Sequence, residues 1–188
     1  MGRWEPNAQA RLRQAALDLY SSRGFESTTV AEIAEVAGLT ERTFFRHFAD
    51  KREVLFAGSD RLQALLVETA AAAAETSGPA GAVAAAFEHA ALTYFPELKS
   101  SRQRQDIIDA NPSLQERELA KLHRVAAALT ETLQAHGTPD LAAAVAAESG
   151  VAAFKVAFAR WVTQPDGGPL IDHMREAFQT QRALLEAL

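Results

Sequence analysis

The chain has 188 residues, a net charge of −5 and 48% apolar residues, with few aromatics. That length buries a real core in one or two domains, and an alanine-rich, aromatic-poor composition favours close-packed helices over sheets. The lack of cysteine excludes disulfides, thiol catalysis and zinc-ribbon sites.

In chain order, Pro6 is an extended approach and Asn7 is expected to cap a first helix with Leu12, Ala15, Ala16 and Leu19 as its buried stripe. Gly24 ends it and Phe25 folds back as the apolar contact of the cap. Arg3 and Trp4 precede that helix, either as an arm that touches phosphates or the minor groove or as frayed residues. The opening MGRWEPNAQA lacks the apolar centre of a signal peptide. No uninterrupted, strongly apolar stretch reaches about 18 residues, so no transmembrane helix is read and a cytoplasmic protein without a membrane partner is expected.

Residues 29–56 organise the rest. Thr29 followed by Glu32 is a capping box, and Val30, Ile33, Ala34 and Ala37 share one face of the helix it opens. Gly38 stops that helix and Leu39 plugs the turn. Thr40 caps a second short helix, Glu41 to about Phe48, and Asp50 with Glu53 opens a third. Helix, short turn with Gly, helix is the helix-turn-helix pattern. At about 100° per residue, Phe44 and Phe48 share the inward face of the second helix. Arg42 and Arg46 lie opposite, flanked by Thr43 and Phe45. Such a helix fits the DNA major groove, where Arg grips guanine through two hydrogen bonds. Spacing alone equally allows a buried helical hairpin with a solvated basic side.

A long helix is expected from Lys51 to about Thr76, with Leu55, Leu62, Leu65, Leu66 and Thr69 inward and Gly58 loosening one turn. SGPAG at 77–81 breaks it. Ala80–Phe95 follows, closed by Pro96, then Glu97–Ala110, ended by Asn111-Pro112. Ser113 is expected to cap a helix to about His136, with Leu114, Leu122, Val125, Leu129 and Leu133 inward. The last two helices are Leu141–Val162, with Val145, Phe154, Phe158 and Trp161, and Leu170–Leu188. On the latter Leu170, Met174, Ala177, Leu184 and Leu188 share a face, with Ile171, Phe178 and Leu185 beside it. A short loop makes them antiparallel. Their outer apolar faces either pack on the preceding helices or meet a second copy across a two-fold axis, and homodimerisation through 141–188 is the expectation. The fold class is all-α, about nine helices: an N-terminal three-helix helix-turn-helix domain, 1–56, and a helical ligand-binding and dimerisation domain, 57–188. Residues 1–58 hold eight Lys/Arg and eight Asp/Glu; residues 59–188 hold eleven and sixteen, so the acidic excess lies away from the basic helix.

The stretch GFESTTVAEIAEVAGLTERTFFRHFADKREVL, residues 24–55, resembles the DNA-binding domain of the TetR family of bacterial transcriptional regulators. Gly24-Phe25, Thr28-Thr29-Val30, Ile33-Ala34, Ala37-Gly38, Thr43, the aromatic pair, Phe48 and Lys51 carry the likeness. The resemblance implies that Thr29, Thr43 and His47 contact phosphates. It places Glu41, Arg42 and Phe45 along base edges, with Arg46 on the same side, and has Lys51 clamp a phosphate at a helix start. Phe45 stands where members commonly carry Tyr; it presses on a thymine methyl but donates nothing. His47 is equally able to pack under Phe44.

The family also implies a dimer that binds a pseudo-palindromic DNA operator and a small-molecule effector that shifts the balance between two conformations. Candidate effector-binding residues are Phe87, His89, Tyr94, Phe95, Ile107, His123, Phe154 and Phe158, with Arg102 and Arg104 for an acidic ligand; aromatics at helical spacing also read as plain core, and paired Arg as surface. No cofactor or metal is expected, since His89, His123 and His136 are too far apart for a metal motif. Asp106 and Asp109, one turn apart, read as an ion-pair face with those arginines. Without a phosphate loop or any strand pattern, catalysis is not the reading. The expectation is a ligand-responsive regulator, in family habit a repressor; the alternative is a ligand-independent DNA-binding or interaction protein of the same fold.

Overall fold

The computed structural model describes residues 7–95, 97–165 and 168–187, with the side chain of residue 185 left aside. The expectations placed on Arg3, Trp4, Pro6, Pro96, Leu188 and the Leu185 side chain lie outside the described residues. Most of the described residues are helical, with no strand among them. The elements are α1 (Ala8–Arg23), α2 (Val30–Val36), α3 (Glu41–His47), α4 (Glu53–Phe56), α5 (Ser59–Thr93), α6 (Leu98–Asp109), α7 (Pro112–Ala135), α8 (Asp140–Thr163) and α9 (Leu170–Glu186).

Two compact units result. One comprises Met1–Gly58 and Gln103–Glu116; the other comprises Ser59–Arg102 and Arg117–Leu188. A single cut in chain order separates 1–56 from 57–188, whereas the first unit also takes in the end of α6 and the start of α7. The cause is apolar. Ile107, Ile108 and Leu114 are buried in the same cluster as Leu12, Leu17, Ile33, Phe44 and Val54. The second unit has its own core, where Leu66, Val83, Phe87, Leu129, Ala147, Phe154 and Met174 come together.

Local chemistry sets most boundaries. Phe25 folds back on α1, its ring 5.1 Å from that of Tyr20, after Gly24 at φ 87°. Asn7 precedes α1 at φ 90° but makes no side-chain cap, contrary to expectation. The expected continuous helix from Lys51 is interrupted: α4 is a single turn, Ala57 is extended, and Gly58 takes φ 91° before α5 begins. Helical residues do not adopt a positive φ, so Gly58 ends a helix rather than loosening it. Gly78, at φ 65°, breaks α5 beside Pro79, as SGPAG predicts. Ser113 does not cap α7. Pro112 occupies its first turn, where its missing N–H costs nothing, and the Asn111 carbonyl accepts from Leu114 and Gln115.

In the second unit α8 packs on α9 and both pack on α5. The α5–α8 approach is close because Gly150 has no side chain: a Cβ there would lie 2.2 Å from Val83 Cγ1. Gly150→Ala is therefore expected to destabilise this unit by about 1–3 kcal/mol through overpacking. Adding Val83→Ala should recover part of the loss, read as a coupling in denaturant melts of the two single variants and the double variant. Helix α8 is also long and apolar enough to cross a membrane by length and composition. Its Ala147, Val151, Phe154 and Trp161 face lies in the core instead.

Candidate nucleic-acid interface

The site is built from caps upward. The Thr29 hydroxyl accepts from the Glu32 amide at 3.3 Å and donates to Glu32 Oε2 at 2.9 Å, while the Thr29 amide donates to that same carboxylate oxygen at 2.8 Å. The capping box is thus formed in both directions. Those bonds hold the Glu32 carboxyl below the usual carboxylate range, the Thr29 amide first, then its hydroxyl, with Arg23 adding to them. A lowered folded pKa contributes stability above the unfolded value and loses it as pH falls through the folded one. Thr29→Ala should lower the stability of the first unit by about 1 kcal/mol in a denaturant titration.

Gly38, at φ 64°, donates its amide to the Glu35 carbonyl, and the Leu39 amide donates to the Ala34 carbonyl at 2.8 Å. This double closure satisfies the last carbonyls of α2 and turns the chain into α3. Arg11, on α1, donates from Nη2 to the Ala37 carbonyl and packs over Gly38. The Thr43 amide donates to the Thr40 hydroxyl, which caps α3. Below α3, Phe44 is fully buried and Phe48 lies against it at 5.4 Å. Above, Glu41, Arg42, Phe45 and Arg46 are exposed, Phe45 to 55%. Among the described residues neither Arg42 nor Arg46 has an ion-pair partner. The outer face of α3 therefore presents two uncompensated guanidinium groups one turn apart around an exposed ring.

The expected backbone contacts are placed unevenly. Thr43 is half-buried, its hydroxyl 3.0 Å from that of Thr40. His47 is half-buried too; its Nε2 is covered and has no hydrogen-bond partner among the described residues. Its ring lies 6.4 Å from that of Phe48. Thr29 is exposed, but Glu32 takes its hydroxyl proton. Lys51 is half-buried, and its Nζ donates to the carbonyls of Phe25, Glu26 and Thr28 at 2.9, 3.1 and 3.1 Å. An ammonium has three protons, and these three acceptors use them all. Arg11 and Tyr20 were not singled out in the sequence. Tyr20 donates to the Lys51 carbonyl at 2.6 Å, and burial, aided by nearby Asp50, pushes its hydroxyl pKa far above the ordinary tyrosine value. No periodicity pairs Arg11 with Ala37, 26 residues away.

The expected effector residues divide between the units. Phe87, Tyr94, Phe95, Phe154 and Phe158 do meet in the second unit. Phe87 stacks on Phe154 at 5.0 Å, and Phe95 lies 5.9 Å from Phe154 and 5.5 Å from Phe158. Ile107 is buried in the core of the first unit. His89 and His123 are exposed, each at the edge of the buried stripe of its helix, α5 and α7. Arg102 and Arg104 do not form a joint anion site. Arg102 donates to the Val162 and Gln164 carbonyls at the end of α8. Arg104 donates to the Leu55 carbonyl in α4 and lies over the Phe56 ring at 5.3 Å. Both settle on carbonyls that a helix end leaves open, where a cation is favoured.

Residues 12–57 match the profile of bacterial regulatory proteins of the TetR family, and residues 77–186 match that of the MftR C-terminal domain. A 44-residue segment, 23% of this chain and 20% of its relative, is 52% identical to the HTH-type transcriptional regulator TcmR of Streptomyces glaucescens. That match thus spans about a fifth of the relative. Among solved structures, SmeT, the repressor of a Stenotrophomonas maltophilia multidrug efflux pump, superposes in its triclosan complex. It does so with a TM-score of 0.66 at 18% identity, over 95% of this chain and 91% of that one. FadR of Thermus thermophilus, a repressor solved with lauroyl-CoA, gives a TM-score of 0.55 at 23% identity, over 96% and 94%. With the profiles covering both units, the chain belongs to the TetR family of bacterial transcriptional regulators, carrying an N-terminal DNA-binding domain and an MftR-type C-terminal domain.

Proposed function

We propose that this regulator acts as a homodimeric repressor, released from a pseudo-palindromic operator by a small-molecule effector. The observation that carries the DNA half is the outer face of α3. Two unpaired guanidinium groups and an exposed ring sit on a short helix that is capped at its start and anchored below by Phe44 and Phe48. Arg42 reads a guanine edge, Phe45 presses on a thymine methyl, and Arg46 and Glu41 flank them. Thr29, Thr43 and His47 face phosphates, which requires each to exchange its present surroundings for a phosphate oxygen.

Dimerisation is supported by the outer side of α8, where Leu141, Val145 and Val156 are all more than half exposed, together with Leu184 on α9. Such a patch favours an isologous contact through 141–188. Two reading helices then need a separation of about 34 Å, or a multiple of it, to enter successive major grooves. A DNA partner places the protein in the cytoplasm.

The effector is assigned to the aromatic cluster of Phe87, Tyr94, Phe95, Phe154 and Phe158, which suits an apolar or aromatic molecule. SmeT with triclosan and FadR with lauroyl-CoA are relatives in fold that were solved with apolar-bodied ligands. One observation favours the ligand-independent reading: Phe87 and Phe154 are buried against each other already. Selection of a duplex from random DNA, followed by a screen for metabolites that release it, tests both. A selected palindrome released by a metabolite supports the repressor. Binding that no metabolite releases favours the second reading, and no selected sequence at all overturns the DNA assignment.

A further inference from the structure

The Lys51 side chain ties together the loop before α2 and the turn before α4. Besides its three carbonyl partners, its Nζ sits 4.5 Å over the ring of Phe25. Its own carbonyl accepts from Tyr20 on α1. The carbonyl it meets at Phe25 also accepts from the Thr28 amide, and the Thr28 hydroxyl donates to the Gly24 carbonyl. Residues 24–28 therefore close into a knot around one ammonium, and that knot ends where the Thr29 cap of α2 begins. A compact ammonium suits three converging acceptors; a planar guanidinium does not.

We infer that Lys51 is a positioning residue for DNA reading: it fixes the start of α2, and with it the α2–α3 pair, through carbonyls of its own chain rather than by holding a phosphate. The inference rests on α3 being the reading helix, but it makes claims about the free protein that hold without DNA. Removing a phosphate ligand and removing an internal tie change the salt dependence differently. A lysine that neutralises a phosphate adds about one unit to the slope of log affinity against log salt, and its removal takes that unit away.

The test uses Lys51→Met, which keeps the stem without the charge, and Lys51→Arg, which keeps the charge without the geometry. Binding is measured on a selected duplex across a salt series, and amide exchange of residues 25–30 is measured in the free proteins. Both variants are expected to lose specific affinity by about tenfold, the equivalent of one charge-assisted hydrogen bond. The salt slope of Lys51→Met should stay unchanged, and exchange of the loop amides should accelerate in both. A slope reduced by one unit in Lys51→Met, or wild-type binding by Lys51→Arg, would overturn the inference. In the unaltered protein the Lys51 ammonium protons should exchange slowly in ¹⁵N NMR, both free and with the duplex added. Fast exchange in the free protein would also overturn it, whether or not either variant folds. Failure to select any duplex would instead remove the reading of α3 and leave the amide and ammonium measurements to decide the tie.

Discussion

Arg42→Ala should weaken operator binding by about 1–3 kcal/mol per half-site and relax preference at one base position in each. If two copies bind a palindrome together, the loss doubles to about 2–6 kcal/mol, roughly thirtyfold to several ten-thousandfold. The guanidinium is exposed and makes no ion pair among the described residues, so truncation leaves nothing buried and unpaired behind. Stability should therefore stay within about 0.5 kcal/mol of the parent. That combination, large on DNA and nearly silent in a melt, identifies a base reader. Selection repeated with the variant gives the sharper result: information lost at one column of the site, with the neighbouring columns intact. Uniform weakening across all sequences would assign Arg42 to the backbone instead, and wild-type binding would mean that α3 faces elsewhere.

What was legible in the sequence was local. The capping box at Thr29 and Glu32, the Thr40 cap and the Gly38 closure depend on residues three or four apart, and each formed as read. The inward pair Phe44 and Phe48 followed from helical spacing. Gly58 was misjudged because its cost inside a helix depends on φ, which the letter alone does not give. The partners of Ile107, Arg104 and Lys51 lie far off in the chain, and neither periodicity nor a family motif states which carbonyl a cation will meet. The motif makes Lys51 an outward phosphate ligand, but three nearby carbonyls are stronger competitors for its protons in the free chain than solvent is. His89 and His123 fall at the edges of the buried apolar rows of α5 and α7, where helical spacing alone leaves the side undecided; both are exposed.

Phe44→Ala should be the most damaging single change in the first unit, at about 3–5 kcal/mol for an aromatic ring removed from a closed core. Phe44 is fully buried, and its ring touches Phe45 on one side and Phe48 on the other, at 5.5 and 5.4 Å. Truncation opens a void directly under α3, and the exposed Phe45 ring loses its edge contact. Domains hold only about 5–15 kcal/mol in all, so this loss brings a small unit close to unfolding. Because the cores of the two units are separate clusters, the damage should be local. Amide protection should collapse for residues 12–56 and persist in α8 and α9. DNA binding should disappear together with that protection, whereas in Arg42→Ala it weakens while protection stays. Two side chains two positions apart on one helix thus separate support from reading. If Phe44→Ala keeps both protection and binding, the inward face of α3 is wrongly assigned, and the outward placement of Arg42 falls with it, since one rotation of the helix determines both.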